Sequence, residues 1–252
     1  MIRPLTLSLC ALLSVGLVAQ PQDPAKAPGA NGQEGTKPKE VAPTVIEKET
    51  EIPFPIWMDV LKDERHHLCG TGVREKTIFH VNVYGFGYYV DRDKAVKVLN
   101  KAGGKNMTLK KALKDQGFIN KFMTGNFNKS MRWVMARDVD GEDVAEAFDD
   151  FLDPGIRAIA RDEKQLEAGL TAMREMRGYF ASGKLNEEDE LIFVWEMPAK
   201  MHTILNGREL GVIDNWHLCY ALYNSFLGKD PIDKDGKKAI ISGLYPYIYP
   251  EQ

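Results

Sequence analysis

The spacing of apolar residues alternates along the chain between a period of two and a period of about 3.6, which predicts a mixture of strands and helices. Three segments alternate apolar and polar positions and are rich in β-branched and aromatic residues: 78–90, 131–137 and 191–197. We expect each of them to form a strand. Gly85 and Gly87 interrupt the first segment, which indicates a bulge or a close backbone approach.

A further alternating region contains a clear turn signal. Asn206-Gly207 separates an apolar-alternating run over residues 201–205 from another over residues 208–213. Because both central residues of a type I′ turn need a positive φ, Asn-Gly favours a two-residue turn here. The sequence therefore predicts a hairpin.

Helical spacing of apolar residues predicts four helices. Asp153-Pro154 follows the first of them and disfavours a further turn. Asp214 is a candidate N-cap for the third, and Gly228 is its expected stop. The helical stretches cover residues 144–152, 166–180, 219–227 and, more weakly, 94–101. Because strands and helices come in blocks rather than one by one, we expect an α+β domain with helices on one side of an antiparallel sheet.

The first residues have the layout of a secretory signal peptide. Arg3 precedes an apolar run over residues 5–18, and Ala19 supplies a small residue at the expected cleavage point. The run is shorter than the roughly 20 residues that a membrane-spanning helix needs. We expect residues 1–19 to be removed and the mature protein to be periplasmic or secreted, with no stable membrane insertion. An uncleaved anchor is the alternative.

Composition divides the rest of the chain into two parts. Residues 20–52 are rich in Pro, Gly, Lys and Glu and contain no aromatic residue. Such a segment buries too little apolar surface to offset the entropy lost on ordering, so we expect a disordered linker. The folded domain then covers residues 53–252, a length that suits one compact core.

Charge and cysteine content exclude several function classes. A formal net charge of -3 provides no global positive field that would attract nucleic acid. Cys69 and Cys219 remain after signal removal, too few for a disulfide-built scaffold. Export would allow them to pair, but spacing alone does not show whether they are close, and a buried cysteine also serves as a small hydrophobe.

Sequence motifs for cofactors and metals are incomplete. Gly-Thr-Gly at residues 70–72 resembles the start of a dinucleotide-binding loop, but the third glycine and the strand-to-helix turn are missing. Glu64, His66 and His67 form a polar cluster, yet adjacent histidines point to opposite faces of a strand. We therefore expect no cofactor and no metal site.

Arg74 and Tyr84 are the remaining candidates for chemistry. Their spacing would place both side chains on one face of an unbroken strand. A guanidinium and a phenol on a concave apolar sheet can hold an oxyanion, such as a ligand carboxylate or an enolate. The alternative is that Arg74 pairs with a structural carboxylate and that Tyr84 belongs to the core.

The segment around these two residues resembles the bacterial branch of the chalcone isomerase-like family. The similarity rests on Gly-Thr-Gly-Val-Arg at residues 70–74 and on the strand at residues 81–90, with further likeness at 131–148 and 205–231. It covers about residues 65–245. The resemblance implies an open-faced β-sandwich in which a large antiparallel sheet carries layered helices, with a ligand cleft between them.

The resemblance also implies roles for the two candidate residues. Arg74 matches the arginine that in plant chalcone isomerases steers the substrate phenolate and stabilises developing charge. Tyr84 falls at the position of a hydroxyl-bearing residue that helps to polarise the ketone. Fatty-acid-binding relatives instead pair an arginine with a tyrosine to hold a carboxylate.

Three hypotheses follow. In the first, the protein is a non-catalytic exported binder of a fatty acid or a similar apolar carboxylate, held by Arg74 and Tyr84. In the second, it is an intramolecular lyase of the chalcone isomerase type, in which Arg74 is catalytic and the ligand is phenolic. In the third, the cleft is vestigial and the domain is a structural or interaction module.

Overall fold

The computed structural model describes residues 40–62, 64–76, 81–103 and 107–250. The expected signal peptide and residues 20–39 of the expected linker lie outside this part of the chain. Its strands, in chain order, are β1 (Thr44–Ile46), β2 (Pro53–Pro55), β3 (Trp57–Leu61), β4 (Glu64–Lys76), β5 (Val81–Val90), β6 (Lys129–Met135), β7 (Val139–Asp140), β8 (Lys184–Leu185), β9 (Glu190–Glu196), β10 (Lys200–Leu205) and β11 (Arg208–Asp214). Its helices are α1 (Arg92–Gly103), α2 (Leu109–Ala112), α3 (Gln116–Thr124), α4 (Gly141–Ile159), α5 (Glu163–Gly178), α6 (Trp216–Leu227) and α7 (Lys234–Ile248).

Seven strands form one antiparallel sheet in the order β11-β10-β9-β6-β5-β4-β3. Helices α6 and α7 pack against this sheet, and α4 and α5 pack against α6. The expected α+β class is confirmed. The strands expected at residues 131–137 and 191–197 are β6 and β9, and the described part of the segment 78–90 is β5.

The expected hairpin joins β10 to β11. Asn206 and Gly207 have φ angles of 49° and 77°, as the Asn-Gly pair predicts. The register pairs Leu205 with Arg208 directly across the turn.

The two sides of the sheet are covered differently. Phe86 and Tyr88 of β5 point to the side on which the helices lie, and both belong to the main hydrophobic core. Gly85 and Gly87 point to the other side, where the buried ring of Phe54 lies on β2. A Cβ at Gly87 would lie 2.8 Å from that ring. The two glycines therefore allow the close approach of side chains, not the bulge or the close backbone approach that the sequence indicates.

The folded region begins earlier than the composition indicates. Strand β1 lies within the expected linker and pairs with β2. The buried carboxylate of Glu47 accepts hydrogen bonds from the backbone N–H of Thr50 (2.8 Å) and from its hydroxyl (2.7 Å), which closes the turn between the two strands. The domain therefore starts near Thr44 rather than at residue 53.

Helix α4 extends beyond the end that Asp153-Pro154 predicts, so that prediction is wrong. The helix continues through Pro154 to Ile159. Ile156, in the turn after the proline, is fully buried, and the backbone at Gly155 lies close to Ala221 of α6. Packing of this turn against α6 offsets the hydrogen bond that the proline cannot donate.

One further helix boundary differs from the sequence-based expectation, and helix α7 was not predicted. Asn215, not Asp214, caps α6, because its side-chain oxygen accepts the N–H of Leu218 (3.0 Å). Gly228 ends that helix as expected. Helix α7 is absent from the sequence-based prediction because glycines and a proline interrupt its apolar pattern.

Candidate functional site

A cavity of about 460 Å³ opens between α4 and the helix-facing side of β4, β5 and β6. Its volume lies within the range of small-molecule binding sites. Strand β5 supplies the floor because every second residue points toward the helices. The inner surface is formed mainly by aromatic and aliphatic side chains, among them Tyr84, Trp133, Met135, Phe148, Phe151 and Leu191.

Arg74 and Tyr84 lie directly opposite each other on neighbouring strands. Arg74 is on β4, Tyr84 is on β5, and the antiparallel register pairs their Cα atoms. Residues that face each other in such a ladder project to the same side of the sheet. Both side chains line the cavity. The pair is therefore formed across two strands and not along the unbroken strand that the spacing suggests.

Arg74 is half-buried at the cavity wall. Among the described residues, no hydrogen bond or ion pair to its guanidinium is found within the usual distances. No carboxylate in that part of the chain pairs with Arg74, so the described residues do not support the alternative in which a structural carboxylate binds it. Its charge is available to a molecule in the cavity.

Two buried polar groups in the cavity wall lack a partner in the described part of the protein. They are the hydroxyl of Tyr84 and the indole Nε1–H of Trp133. The two rings stack with a centroid distance of 4.4 Å and an interplanar angle of 6°. Buried polar groups are nearly always hydrogen-bonded, so these two donors can take an acceptor from a ligand if the rings move to expose them, since each atom has less than 1 Å² of accessible surface.

Burial raises the pKa of the Tyr84 phenol above its ordinary value, and the positive charge of Arg74 opposes this shift only in part. The phenol therefore stays protonated at physiological pH and can donate a hydrogen bond. Together, the cavity wall offers one cation and two neutral donors.

The rim of the cavity carries charges of both signs. Lys76, Arg137 and Lys184 lie near five carboxylates, most of them on α4. Lys184 Nζ lies 2.6 Å from Asp138 Oδ2, and this contact lowers the pKa of Asp138. These groups are exposed, and we assign them no chemical role.

The polar cluster at the start of β4 lies outside the cavity. His66 is fully buried, and its Nδ1 shares a hydrogen bond of 2.9 Å with Ser130 Oγ. Its Nε2 lies 3.5 Å from Glu64 Oε1. In the described residues, no three His, Cys, Asp or Glu side chains are grouped as metal ligands. The arrangement is a small, largely buried polar cluster at the start of β4.

The two cysteines of the domain are both buried thiols and are not joined. Burial raises the pKa of each thiol well above its ordinary value. Cys69 and Cys219 therefore behave as small core residues.

Sequence reasoning identifies Arg74 and Tyr84 but does not select Trp133 or the cavity-facing residues of α4. Trp133 follows the alternation of β6, so it reads as an ordinary core residue. Phe148 and Phe151 belong to an amphipathic stripe and read in the same way. The N–H of Trp133 can be recognised as lacking a hydrogen-bond partner only when the neighbouring strands are in place around it.

Comparisons with known proteins agree with this architecture. A family model described as chalcone isomerase like matches residues 64–241. Among solved structures, a fatty-acid-binding protein of Arabidopsis thaliana superimposes with a TM-score of 0.71 at 17% sequence identity, covering 82% of this chain and 99% of that protein. A search of curated proteins finds no match. None of the helices in the described residues is long and apolar enough to cross a membrane.

The family match extends over most of the folded domain and includes β4, β5, β6 and α4, the elements that form the cavity. The solved structure shares the sheet with its layered helices, the open-faced arrangement that the resemblance implies. The chain belongs to the chalcone isomerase-like family.

Proposed function

We propose that the protein binds a fatty acid or a similar apolar carboxylate in the cavity between α4 and the sheet. The observation that carries this proposal is the pairing of Arg74 with Tyr84 at an apolar cavity, with no protein acceptor for either among the described residues. Arg74 supplies a charge-assisted hydrogen bond to the carboxylate, and Tyr84 donates a second one. The apolar side chains of β6, β9 and α4 enclose the tail.

The chemistry of the wall supports an acid over other apolar ligands. A guanidinium and an indole N–H have no acceptor atom, so they match a group rich in lone pairs. A carboxylate offers about four acceptor positions and a negative charge. The fold shared with a fatty-acid-binding protein supports the same ligand class.

A second candidate function is intramolecular ring closure of a phenolic ketone. It is favoured by the neutral phenol of Tyr84 beside the cation of Arg74, because such donors stabilise an oxyanion that forms during reaction. Both functions use the same residues, so the experiment must separate binding from turnover.

Mass spectrometry of lipids extracted from the purified protein tests the first function. We expect an apolar carboxylic acid in the wild-type extract and its loss in Arg74→Ala. Arg174→Ala is the matched control, since Arg174 is an exposed arginine of α5 outside the cavity lining.

Lipid-free wild-type protein that also fails to bind added fatty acid would refute the proposal. Chalcone cyclisation faster than the uncatalysed rate, and abolished by Arg74→Ala, would instead establish the isomerase. If neither ligand nor turnover is found and Arg74→Ala changes only stability, the domain is a structural or interaction module.

We further propose that the protein is exported. Support comes from the basic start at Arg3, the apolar run over residues 5–18 and the small residue Ala19. Intact-mass measurement of the protein from its native host should give a chain that starts near Gln20. A mature chain that retains residues 1–19 would contradict cleavage and favour the uncleaved anchor.

A further inference from the structure

Trp133 occupies an unusual position for a core tryptophan. Its side chain is 3% exposed and contacts Phe148, Phe193 and Phe226. Nevertheless its Nε1–H has no hydrogen-bond partner in the described residues. Trp195 shows the usual arrangement, since its Nε1–H donates to Pro198 O at 3.0 Å. Leaving a buried N–H unpaired is unfavourable, so an acceptor at this N–H would stabilise the protein.

The cavity borders the ring of Trp133. Trp133 lines the cavity and stacks on Tyr84, whose hydroxyl is also unpaired. In the sheet, Tyr84 pairs with Arg74 on one side and with Met135, two residues from Trp133, on the other. Trp133 itself faces Phe86 and is diagonal to Tyr84, so the three donors lie on the same side of the sheet, one on each of β4, β5 and β6.

Building on the proposed function, we propose that Trp133 donates its Nε1–H to the ligand head group as a third donor beside Arg74 and Tyr84. The head group then binds at these three donors, and the cavity selects the ionised acid over an alcohol or amine of equal chain length. An alcohol cannot accept from all three donors at once, and an amine carries the same charge as Arg74.

Binding measurements with an isosteric change test this inference. Replacing the indole of Trp133 by benzothiophene, through a non-natural amino acid, exchanges N–H for sulfur and keeps the bicyclic ring. Trp133→Phe gives a second variant that also lacks the N–H. We expect the affinity for dodecanoate to fall roughly tenfold in both, and the affinity for 1-dodecanol to change less than threefold.

Proton NMR of the indole N–H groups gives an independent readout. The Trp133 signal is identified by its loss in Trp133→Phe, and we expect it to shift downfield when dodecanoate saturates the protein. The Trp195 signal is the internal control because its N–H already has a partner.

The outcomes separate this inference from the proposed function. Equal losses for acid and alcohol, or a loss below threefold for the acid, would show that Trp133 acts only through packing and would overturn the inference. If Arg74→Ala still abolishes acid binding in that case, the proposed function stands. Wild-type protein that binds no acid would overturn both.

Discussion

Lys129 places its ammonium group in the core, and its side chain is fully buried. Its Nζ donates to the carbonyls of Phe127 (2.8 Å) and Gly125 (3.2 Å) and lies over the ring of Trp195. In the part of the chain that the structure describes, no carboxylate is within ion-pair distance of it. Burial lowers the pKa of Lys129 to about 7.

This lysine should make stability depend on pH above neutrality. The folded pKa of Lys129 lies below the unfolded value of 10.5, so the unfolded chain binds more protons between these two values. Stability should therefore rise with pH from 7 to 9.5, by at most about 1.4 kcal/mol per pH unit. Lys129→Met should lack this rise, as measured by urea unfolding at several pH values. Parallel curves for the two proteins would contradict the assignment.

Glu64 should influence stability in acid. Its contact with His66 is the largest cause that lowers its pKa to about 2, against the opposing effect of burial. Because the folded pKa lies below the ordinary 4.5, the stabilisation is full above about pH 5 and is lost as the pH falls toward 2.

The matched variant is Glu64→Gln, which keeps an acceptor for the amide of Asn128 (2.8 Å). Between pH 5 and pH 3, wild-type protein should lose more unfolding free energy than this variant. Equal acid sensitivity in thermal unfolding would rule out the contact with His66 as the cause.

At the level of single residues, the sequence allows Arg74 and Tyr84 to be selected but not their geometry. Spacing places them on one face by assuming an unbroken strand, whereas the sheet brings them together across two strands. Trp133 could not be selected, because a missing hydrogen-bond partner is a property of the packed structure.

At the level of elements, the Gly-Thr-Gly segment acquires a packing role. A Cβ at Gly70 would lie 2.5 Å from the backbone of Ala239 and Ile240 in α7. Only a residue without a side chain allows this helix to lie so close to β4. The segment that resembles a nucleotide-binding loop therefore fixes the strand from which Arg74 projects.

Gly70→Ala should consequently destabilise the protein by about 1–3 kcal/mol, because α7 or β4 must shift. Gly178→Ala is the control: this exposed glycine ends α5, and a Cβ there meets nothing within 4 Å. It should be neutral or stabilising by up to about 1 kcal/mol. Thermal denaturation of both variants checks the contrast, and similar losses at the two sites would contradict it.

The prediction of helices and strands succeeds where local sequence determines the structure, and it fails where contacts between distant segments determine it. Asn206-Gly207 determines its turn by itself, and β10 and β11 follow from it. Helix α4 continues through Pro154 because its last turn is buried against α6, and no local pattern reports that contact. The same holds for β1, whose pairing with β2 overrides a composition typical of linkers.

For the whole molecule, the α+β class follows from the order of elements, and the family follows from motifs spread along the domain. The cavity does not follow, because its wall comes from segments as far apart as Arg74 and Leu191. Their meeting depends on the strand order, in which β6 pairs with both β5 and β9. The order of the strands in the sheet cannot be predicted from any short stretch of the sequence.

Calorimetric titration of delipidated protein with dodecanoate tests the central claim most directly. Arg74→Gln removes the charge while keeping a polar side chain, and Arg174→Gln is the control away from the cavity. We predict one binding site in wild-type protein and in the control, and an affinity at least tenfold lower in Arg74→Gln. Equal affinity in all three proteins, or no binding to wild-type protein, would contradict a carboxylate site built on Arg74.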